Sequence, residues 1–289
     1  MLSLPTLLSR FRRATWPLAQ TGLLLTAMLG TTPAVAAPGV PGLRHYAPRQ
    51  VKVRPFITDD ARVVGERLAQ LETWARVDHA ALQQWAIVAY GPTKWLELSL
   101  GGVFGADREP DGNRLAYALP LLAAKVLLRE YKAGAGPGFG VAAGTFLPYG
   151  KGTFKAVGYG TFGYVTVSQC FGEGERLLLH LNGGGNYLRV GNPEAGTDPH
   201  QLVATWGFGG QLRTVGGLHV VGELFSGDPY VPGTGTAYQT GFRYFVSPLV
   251  QVDATVGQGL AGRVQLPFWA SAGVRIVTTR FQKPDPLPR

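Results

Sequence analysis

Apolar and polar residues alternate with a period of two along most of the chain from about residue 66 onward. At positions 69–77, for example, the odd positions are mainly apolar, whereas Glu72 and Arg76 fall between them. The same alternation recurs at 96–104, 177–187, 202–213, 218–224, 238–246 and 250–256. Because successive side chains of a strand point to opposite faces, the pattern predicts a series of β-strands of roughly ten residues, each with one apolar and one polar face.

The polar face of these strands is rich in Gly, Ser, Thr, Gln and Asn and carries few charges. A soluble sandwich also alternates, but its outer face would carry many exposed Lys and Glu residues. Small polar side chains suit the inside of a closed barrel, where opposite walls share the same space. After residue 36 no apolar run reaches the length of about 18 residues that a transmembrane helix needs. We therefore expect a membrane barrel, with a soluble exported sandwich as the alternative.

The connections between predicted strands alternate between short and long, as in barrels with short periplasmic turns and longer extracellular loops. Short turns are expected at 91–94, 133–137, 172–174, 215–217 and 247–248, and longer loops at 105–114, 148–153, 190–200, 227–235 and 257–266. The count predicts an all-β, antiparallel outer-membrane transmembrane β-barrel of about twelve strands over residues 66–281. The limits are about ten and fourteen strands, because 83–90, 119–131, 139–147 and 154–171 alternate less clearly.

Residues 1–36 have the three parts of a secretory signal peptide. Arg10, Arg12 and Arg13 form a positive region, an apolar stretch follows at 21–30, and AVA at 34–36 is a small-residue cleavage motif. The apolar stretch is about half of the roughly 20 residues that a spanning helix needs, which disfavours a transmembrane anchor. A cleaved signal peptide and a barrel together predict the outer membrane of a Gram-negative-type cell envelope.

Two segments flank the predicted barrel. The Pro-rich region 37–65 does not alternate well, and it fits a periplasmic extension, a plug that enters the lumen, or an extra edge strand. At the other end, residues 282–289 form a C-terminal tail beyond the last predicted strand. The pattern does not distinguish among the three possibilities for 37–65.

Composition excludes several classes of protein. With 45% hydrophobic and 16% charged residues the chain is not disordered, and a single Cys among 289 residues excludes a disulfide scaffold. The 41 glycines disfavour a helical fold. The formal net charge is +9, but the Lys and Arg residues form no stripe, so we expect no nucleic-acid binding. Outer-membrane lipid is the simpler partner for basic residues in loops and at the barrel rim.

A more specific pattern begins with the run RPFITDDA at 54–61, followed by Gly65 and by Q-L-E at 70–72. In the second hairpin, Y-G-x-T-x-W-L-E-L occupies 90–98. With these motifs and its Gly-rich later strands, the chain resembles, through most of its mature length, the outer-membrane family named for the meta-pathway of phenol degradation. The resemblance implies an outer-membrane barrel that passes small, often aromatic, organic compounds.

The polar faces of the predicted strands are the candidate functional surface, because they would line the barrel interior. The lumen-lining candidates are Glu72, Arg76, Glu97, Lys125, Arg129, His180, Asn182, Arg213, His219, Glu223, Arg243, Asp253 and Arg275. With Asp78 included, six Lys or Arg face five Asp or Glu. This balance disfavours strong charge selectivity and predicts cross-lumen salt bridges that constrict the pore.

Motifs for catalysis, cofactors and metals are weak. His180 would need a Ser nucleophile at the same depth on a neighbouring strand, and no H-x-S pair occurs. G-x-G-x-x-G at 158–163 fits a dinucleotide fingerprint but lies within a predicted strand. The acidic loop 107–113 lacks complete EF-hand spacing, and five His with one Cys form no zinc pattern. We therefore expect no enzyme activity, no cofactor and no metal.

These features predict a narrow passive channel or facilitator for small organic solutes, with aromatic solutes implied by the resemblance. About twelve strands enclose much less space than the 16 to 18 strands of a wide porin. The alternative is a closed structural barrel whose loops bind partners without transport. The sequence does not indicate an oligomeric state.

Overall fold

The computed structural model describes residues 57–109, 112–132, 135–155, 158–172, 175–189, 200–227, 235–262 and 265–278. Within them, twelve antiparallel strands each pair with the next, and β1 pairs with β12 to close a barrel. The strands are β1 Ala69–Val77, β2 Ala81–Tyr90, β3 Leu96–Glu109, β4 Gly112–Arg129, β5 Gly138–Lys151, β6 Gly160–Phe171, β7 Leu177–Arg189, β8 His200–Arg213, β9 Leu218–Ser226, β10 Thr236–Ser247, β11 Val250–Ala261 and β12 Trp269–Thr278. A 3₁₀ turn at Gly152–Phe154 follows β5.

The predicted fold class is confirmed, and the closed ladder excludes the soluble sandwich.

The main difference from the predicted strand boundaries lies at 105–114, for which the sequence predicts a loop. There β3 and β4 continue to pair from Gly105 with Ala116 up to Glu109 with Gly112. The chain therefore builds a long hairpin at this point, because each added residue pair satisfies two backbone groups that a loop would leave to solvent.

The two ends of the barrel differ in their connections. One end, here called the turn end, carries the connections 91–95, 130–137, 172–176, 214–217 and 248–249, together with the start of β1 and the end of β12. At the opposite loop end, consecutive strands are separated in the sequence by residues 78–80, 110–111, 152–159, 190–199, 227–235 and 262–268. The longest of these separations are at the loop end, as in outer-membrane barrels with longer extracellular loops.

The two faces of the wall differ as the alternation predicts. Large apolar side chains such as Leu100, Leu181 and Phe208 are 54%, 54% and 51% exposed, so the outer face is an apolar surface. Polar side chains such as Gln251 and Arg275 are 0% and 1% exposed on the inner face. This inversion of the usual soluble pattern is what a lipid-facing wall requires. Among the described residues, no helix is long and apolar enough to cross a membrane.

A β-bulge near the end of β4 reverses the side-chain alternation. Leu127 pairs with Gly140 but Arg129 pairs with Phe139, so Leu128 is the extra residue. Phe139 precedes the buried Gly140 and therefore faces the opposite way, toward the outside. Arg129 shares that outward face and is exposed. The prediction that Arg129 lines the lumen is thus wrong, because one inserted residue shifts the period-two phase.

Two other predicted inward charges lie where strands end. Arg213 is the last residue of β8 and is half-buried at the turn end. Asp78 follows β1, where its carboxylate accepts hydrogen bonds from the backbone N–H groups of Ala80 at 2.7 Å and Ala81 at 2.8 Å. Asp78 therefore stabilises a tight turn instead of facing the lumen.

Several sequence predictions lie outside the described residues. These are the signal peptide at 1–36, residues 37–56 of the segment before the barrel, and the C-terminal tail at 282–289.

Candidate functional site: the barrel lumen and its plug

The segment 57–65, here called the plug, lies inside the barrel near the turn end. Residues 58–64 are all buried, with Ala61 at 0% exposure and Val63, the most exposed of them, at 8%. An edge strand does not describe this segment, because β1 pairs directly with β12. An external extension does not describe it either, because residues 58–64 are buried. Between the plug and β1, Arg67 N donates a hydrogen bond to Gly91 O at 2.6 Å, which attaches the chain to the turn after β2.

The first contact of the plug is with Glu223 on β9. One carboxylate oxygen accepts a hydrogen bond from Ile57 N at 3.1 Å, and the other accepts one from Thr58 N at 2.7 Å. Gln239 on β10 also donates its side-chain amide to the same carboxylate at 2.6 Å. A buried carboxylate with three donors is a strong acceptor, so Glu223 fixes the backbone at the start of the plug.

Gly207 on β8 provides the space beside this contact. A Cβ atom at this position would lie 2.5 Å from the Thr58 hydroxyl oxygen and 3.3 Å from its Cβ. Thr58 therefore fits against the wall only because residue 207 has no side chain.

Asp59 is held at its backbone and at its side chain. Thr166 donates its hydroxyl to the Asp59 carbonyl at 2.7 Å. Asn182, with its amide oriented as its hydrogen-bonding surroundings require, donates to that carbonyl at 2.9 Å and accepts from Asp59 N at 2.7 Å. Tyr164 donates its hydroxyl to the Asp59 carboxylate at 2.9 Å. A plug residue thus makes a strand-like exchange of hydrogen bonds with a side-chain amide of the wall.

Lys125 on β4 pairs with both carboxylates of the acidic pair in the plug. Its ammonium lies 2.6 Å from the Asp59 carboxylate and 3.6 Å from that of Asp60, and all three side chains are 7% exposed or less. It also donates to the Asp60 carbonyl. Removing one member of such a buried group leaves an uncompensated charge, so the three residues depend on one another.

Ala61 is bound by a Ser–His pair that no sequence motif predicts. Ser168 on β6 accepts a hydrogen bond from Ala61 N at 2.8 Å, and its hydroxyl lies 2.9 Å from His180 Nδ1 on the adjacent strand β7. Ser168 and His180 are direct partners in the ladder. A Ser thus does lie beside His180 at the same depth on a neighbouring strand, where the absence of an H-x-S motif predicts none. Strand pairing brings together residues that no local motif relates.

The geometry of this pair suits a structural role in the plugged barrel. Ser168 is 1% exposed, and the plug backbone covers its hydroxyl. A substrate carbonyl would have to occupy the position of Ala61 to reach the oxygen. The pair therefore links the plug to two strands of the wall.

The last part of the plug is held by the turns beneath it. The Arg62 guanidinium lies 4.1 Å from the ring centre of Tyr131 and pairs with Glu175. Burial raises the pKa of the Tyr131 hydroxyl well above its ordinary value, so the ring stays neutral beneath the cation. Two residues on, Val64 N donates to Glu97 Oε2 at 2.7 Å. The plug thus reaches from β9 on one side of the lumen to β3 on the other.

Aromatic side chains line the lumen from mid-height toward the loop end. Trp74 and Trp85 stack across β1 and β2, with ring centres 5.6 Å apart and an interplanar angle of 7°. The Arg76 guanidinium lies 4.3 Å from the ring centre of Trp269. Gly257 makes room for that ring, since a Cβ there would lie 2.2 Å from it.

Further aromatic residues extend this lining. Phe162 lies between Phe146 and Tyr164, with ring centres at 5.6 and 6.2 Å. On the opposite side, Phe225 and Trp269 belong to one buried cluster. These residues are not among the predicted lumen candidates, because those candidates are the charged and amide side chains on the inward phase. Trp74 falls between Glu72 and Arg76, so the phase itself could have identified it.

The remaining predicted lumen residues are found on the inner face. Those that are buried, at 9% exposure or less, are Glu72, Arg76, Glu97, Lys125, His180, Asn182, His219, Glu223, Arg243, Asp253 and Arg275. Arg243 donates to Gln211 at 2.7 Å, and Arg275 donates to Gln70 at 2.6 Å. Most of these charged groups lie toward the turn end, so the lumen has a polar, plugged half and an aromatic half.

Among the residues that the structure describes, no group of three or more His, Cys, Asp or Glu side chains is placed to hold a metal ion. The acidic pair of the plug instead faces Lys125.

Comparison with known proteins places the barrel among solved outer-membrane structures. It is similar to the crystal structure of an outer membrane channel from Pseudomonas putida F1, with a TM-score of 0.54 and 13% identity over 78% of this chain and 100% of that chain. The KdgM porin in complex with disordered oligogalacturonate gives a TM-score of 0.49 and 8% identity over 72% of this chain and 98% of that chain. The NanC porin gives a TM-score of 0.48 and 11% identity over 74% of this chain and 100% of that chain. No protein-family model matches the chain, and no curated protein matches it in sequence. At these identities the likeness establishes the fold, which is that of an outer-membrane β-barrel.

Proposed function

We propose that the protein is an outer-membrane channel that admits small organic solutes through an aromatic-lined half-lumen and is narrowed at its turn end by the plug. The observation that carries this proposal is the inward lining by Trp74, Trp85 and Trp269 above the plug. These tryptophans have no part in contact with lipid, since the outer face alone meets lipid.

Two features support a location in the outer membrane. The sequence begins with a pattern typical of a secretory signal peptide, and the outer face of the barrel is apolar around its circumference. In this location the loop end faces outward and the turn end faces the periplasm.

Aromatic compounds are the solute class that the lining favours. A flat apolar ring can stack on indole rings with little loss of conformational freedom, and Arg76 adds a cation for a polar or anionic substituent. The resemblance to the family named for the meta-pathway of phenol degradation implies the same class. Passage through the other half of the lumen requires the plug to shift, because the plug contacts both sides of the wall.

A closed barrel without transport is the second candidate, and the plug contacts favour it. Backbone N–H groups of Thr58, Ala61 and Val64 are bound by wall side chains at 2.7 to 2.8 Å. In that case the protein would act through its loops, and the lumen would stay closed.

Planar-bilayer conductance of the refolded mature protein tests the proposal, with a heat-dependent gel shift as the control for folding. The natural chain is compared with Gly207→Val, a change that displaces the plug at Thr58. We expect discrete steps that are larger or more frequent in the variant and that aromatic solutes reduce. No steps from either folded protein would overturn the channel and leave the closed barrel.

A further inference from the structure

A cavity of about 580 Å³ lies at the turn end, on the rim of the wall between β3, β4 and β5. It is lined by Lys94 and Trp95 before β3, by residues 127–130 at the end of β4, and by Lys132 and Ala135 in the next turn. Its volume is in the range of small-ligand sites in proteins. None of these residues contributes to the aromatic half-lumen.

The lining of this cavity combines basic and apolar side chains. Lys94, Arg129 and Lys132 provide three cations against the single carboxylate of Glu130. Trp95 is 46% exposed and Leu128 is 64% exposed, so apolar surface adjoins the charges. This combination occurs where a membrane surface meets a protein, with tryptophan at the level of the headgroups and cations beside phosphate.

The β-bulge in β4 creates this arrangement. In a strand with regular alternation, Arg129 would share the inward face of Lys125. Because of the bulge, Arg129 instead pairs with Phe139 on the outward face. Its guanidinium donates to the Ala135 carbonyl at 3.3 Å, which holds it across the adjoining turn. A planar guanidinium held in this way can offer paired N–H donors to a phosphate group.

We propose that this cavity, here called the rim site, binds the headgroup of an anionic phospholipid in the periplasmic leaflet of the membrane. The phosphate lies among Lys94, Arg129 and Lys132, and an acyl chain follows Leu128 along the outer wall. The proposal rests on the membrane location given under the proposed function, but it does not require that the barrel conducts.

Native mass spectrometry of the purified full-length barrel tests the rim site. The protein in detergent is offered dioleoyl-phosphatidylglycerol or the zwitterionic dioleoyl-phosphatidylcholine. The test variant is Lys94→Gln/Arg129→Gln/Lys132→Gln. The matched control, Arg114→Gln/Lys151→Gln/Lys155→Gln, removes the same charge from exposed residues at the loop end. The heat-dependent gel shift shows that each barrel is folded.

We expect the natural protein and the control to retain phosphatidylglycerol in preference to phosphatidylcholine. The rim variant should lose roughly fivefold in retention for each removed cation. Leu128→Ser should weaken lipid retention while leaving the charges in place. Excess inorganic phosphate should not displace the lipid, because phosphate lacks the apolar contact.

Three results would overturn the rim site: equal retention of the two lipids, equal loss in the rim variant and the control, or displacement by inorganic phosphate, which would indicate a simple anion site. A barrel that retains the lipid but never conducts would contradict only the proposed channel.

Discussion

The carboxylate of Glu223 accepts a hydrogen bond from the backbone N–H of Thr58 at 2.7 Å, between residues 165 positions apart in the sequence. Its other oxygen binds the N–H of Ile57. A side chain of the wall thus fixes the main chain of the plug, whatever side chains the plug carries at those positions. Glu223 is therefore one wall residue at which the plug can be loosened without changing the sequence of the plug.

Glu223→Gln should loosen the start of the plug. The substitution removes the charge and replaces one accepting oxygen with an amide donor, which faces N–H groups. Hydrogen bonds to a charged group contribute about 1.5–3 kcal/mol each. Loss of about 1.5 kcal/mol corresponds to roughly tenfold faster amide exchange. Hydrogen exchange of the peptide that contains Ile57 and Thr58 measures this change.

Glu66→Gln is the matched control, because Glu66 is exposed and lies just beyond the plug. Its exchange profile should equal that of the natural chain. Equal protection of residues 57–58 in the Glu223 variant and in the natural protein would show that the carboxylate does not hold the plug.

Gly207→Val should displace the plug by steric conflict. A Cβ at residue 207 would lie 2.5 Å from the Thr58 hydroxyl oxygen, and a branched side chain there would need still more space. Thr58 must move away from β8, so we expect faster exchange of residues 57–61 and a larger conductance. Gly183→Val on β7 is the control, since a Cβ there meets nothing within 4 Å. If Gly207→Val changed neither the exchange of residues 57–61 nor the conductance, Thr58 would not lie against residue 207 in solution.

The wall could be predicted from the sequence because it depends on local alternation. In 69–77 the phase alone separates the buried Glu72 from the exposed Leu71. Arg129 shows the limit of this reasoning: a bulge is a pairing event between strands, and a single strand carries no mark of the extra residue.

The plug could not be derived in the same way. Its contacts join Asp59 to Thr166 and Ala61 to Ser168, each pair separated by 107 residues, with no period that relates them. The Pro-rich composition of 37–65 showed only that this region is not a regular strand. Its position inside the lumen depends on acceptors spread over several strands, which become neighbours only after the barrel closes.

Ser168→Ala should weaken the attachment of the plug to the wall, and we expect no hydrolytic activity that depends on Ser168. The variant leaves the buried Ala61 N–H without its acceptor, at a cost of about 2 kcal/mol, or roughly 30-fold faster exchange at that amide. Ser271→Ala is the control, because Ser271 bonds with Thr255 and not with the plug. Hydrolysis of a short-chain nitrophenyl ester that the natural chain performs and Ser168→Ala does not would contradict the structural role and point to a catalytic Ser168–His180 pair.

Trp85→Leu should selectively reduce the passage of aromatic solutes. Leu keeps the site apolar but removes the ring that stacks on Trp74 at 5.6 Å, and such aromatic pairs contribute about 0.5–1.5 kcal/mol beyond burial. We expect the permeability ratio of a phenol to an aliphatic alcohol of similar size to fall by roughly three- to tenfold. The ratio is measured in proteoliposomes, with Gly207→Val also present in each protein so that the plug is displaced. Trp206→Leu is the matched control, since Trp206 is 42% exposed on the lipid-facing side of β8. The same ratio in both variants would mean that the inward tryptophans do not select the solute, and the lining would then serve only to pack the lumen.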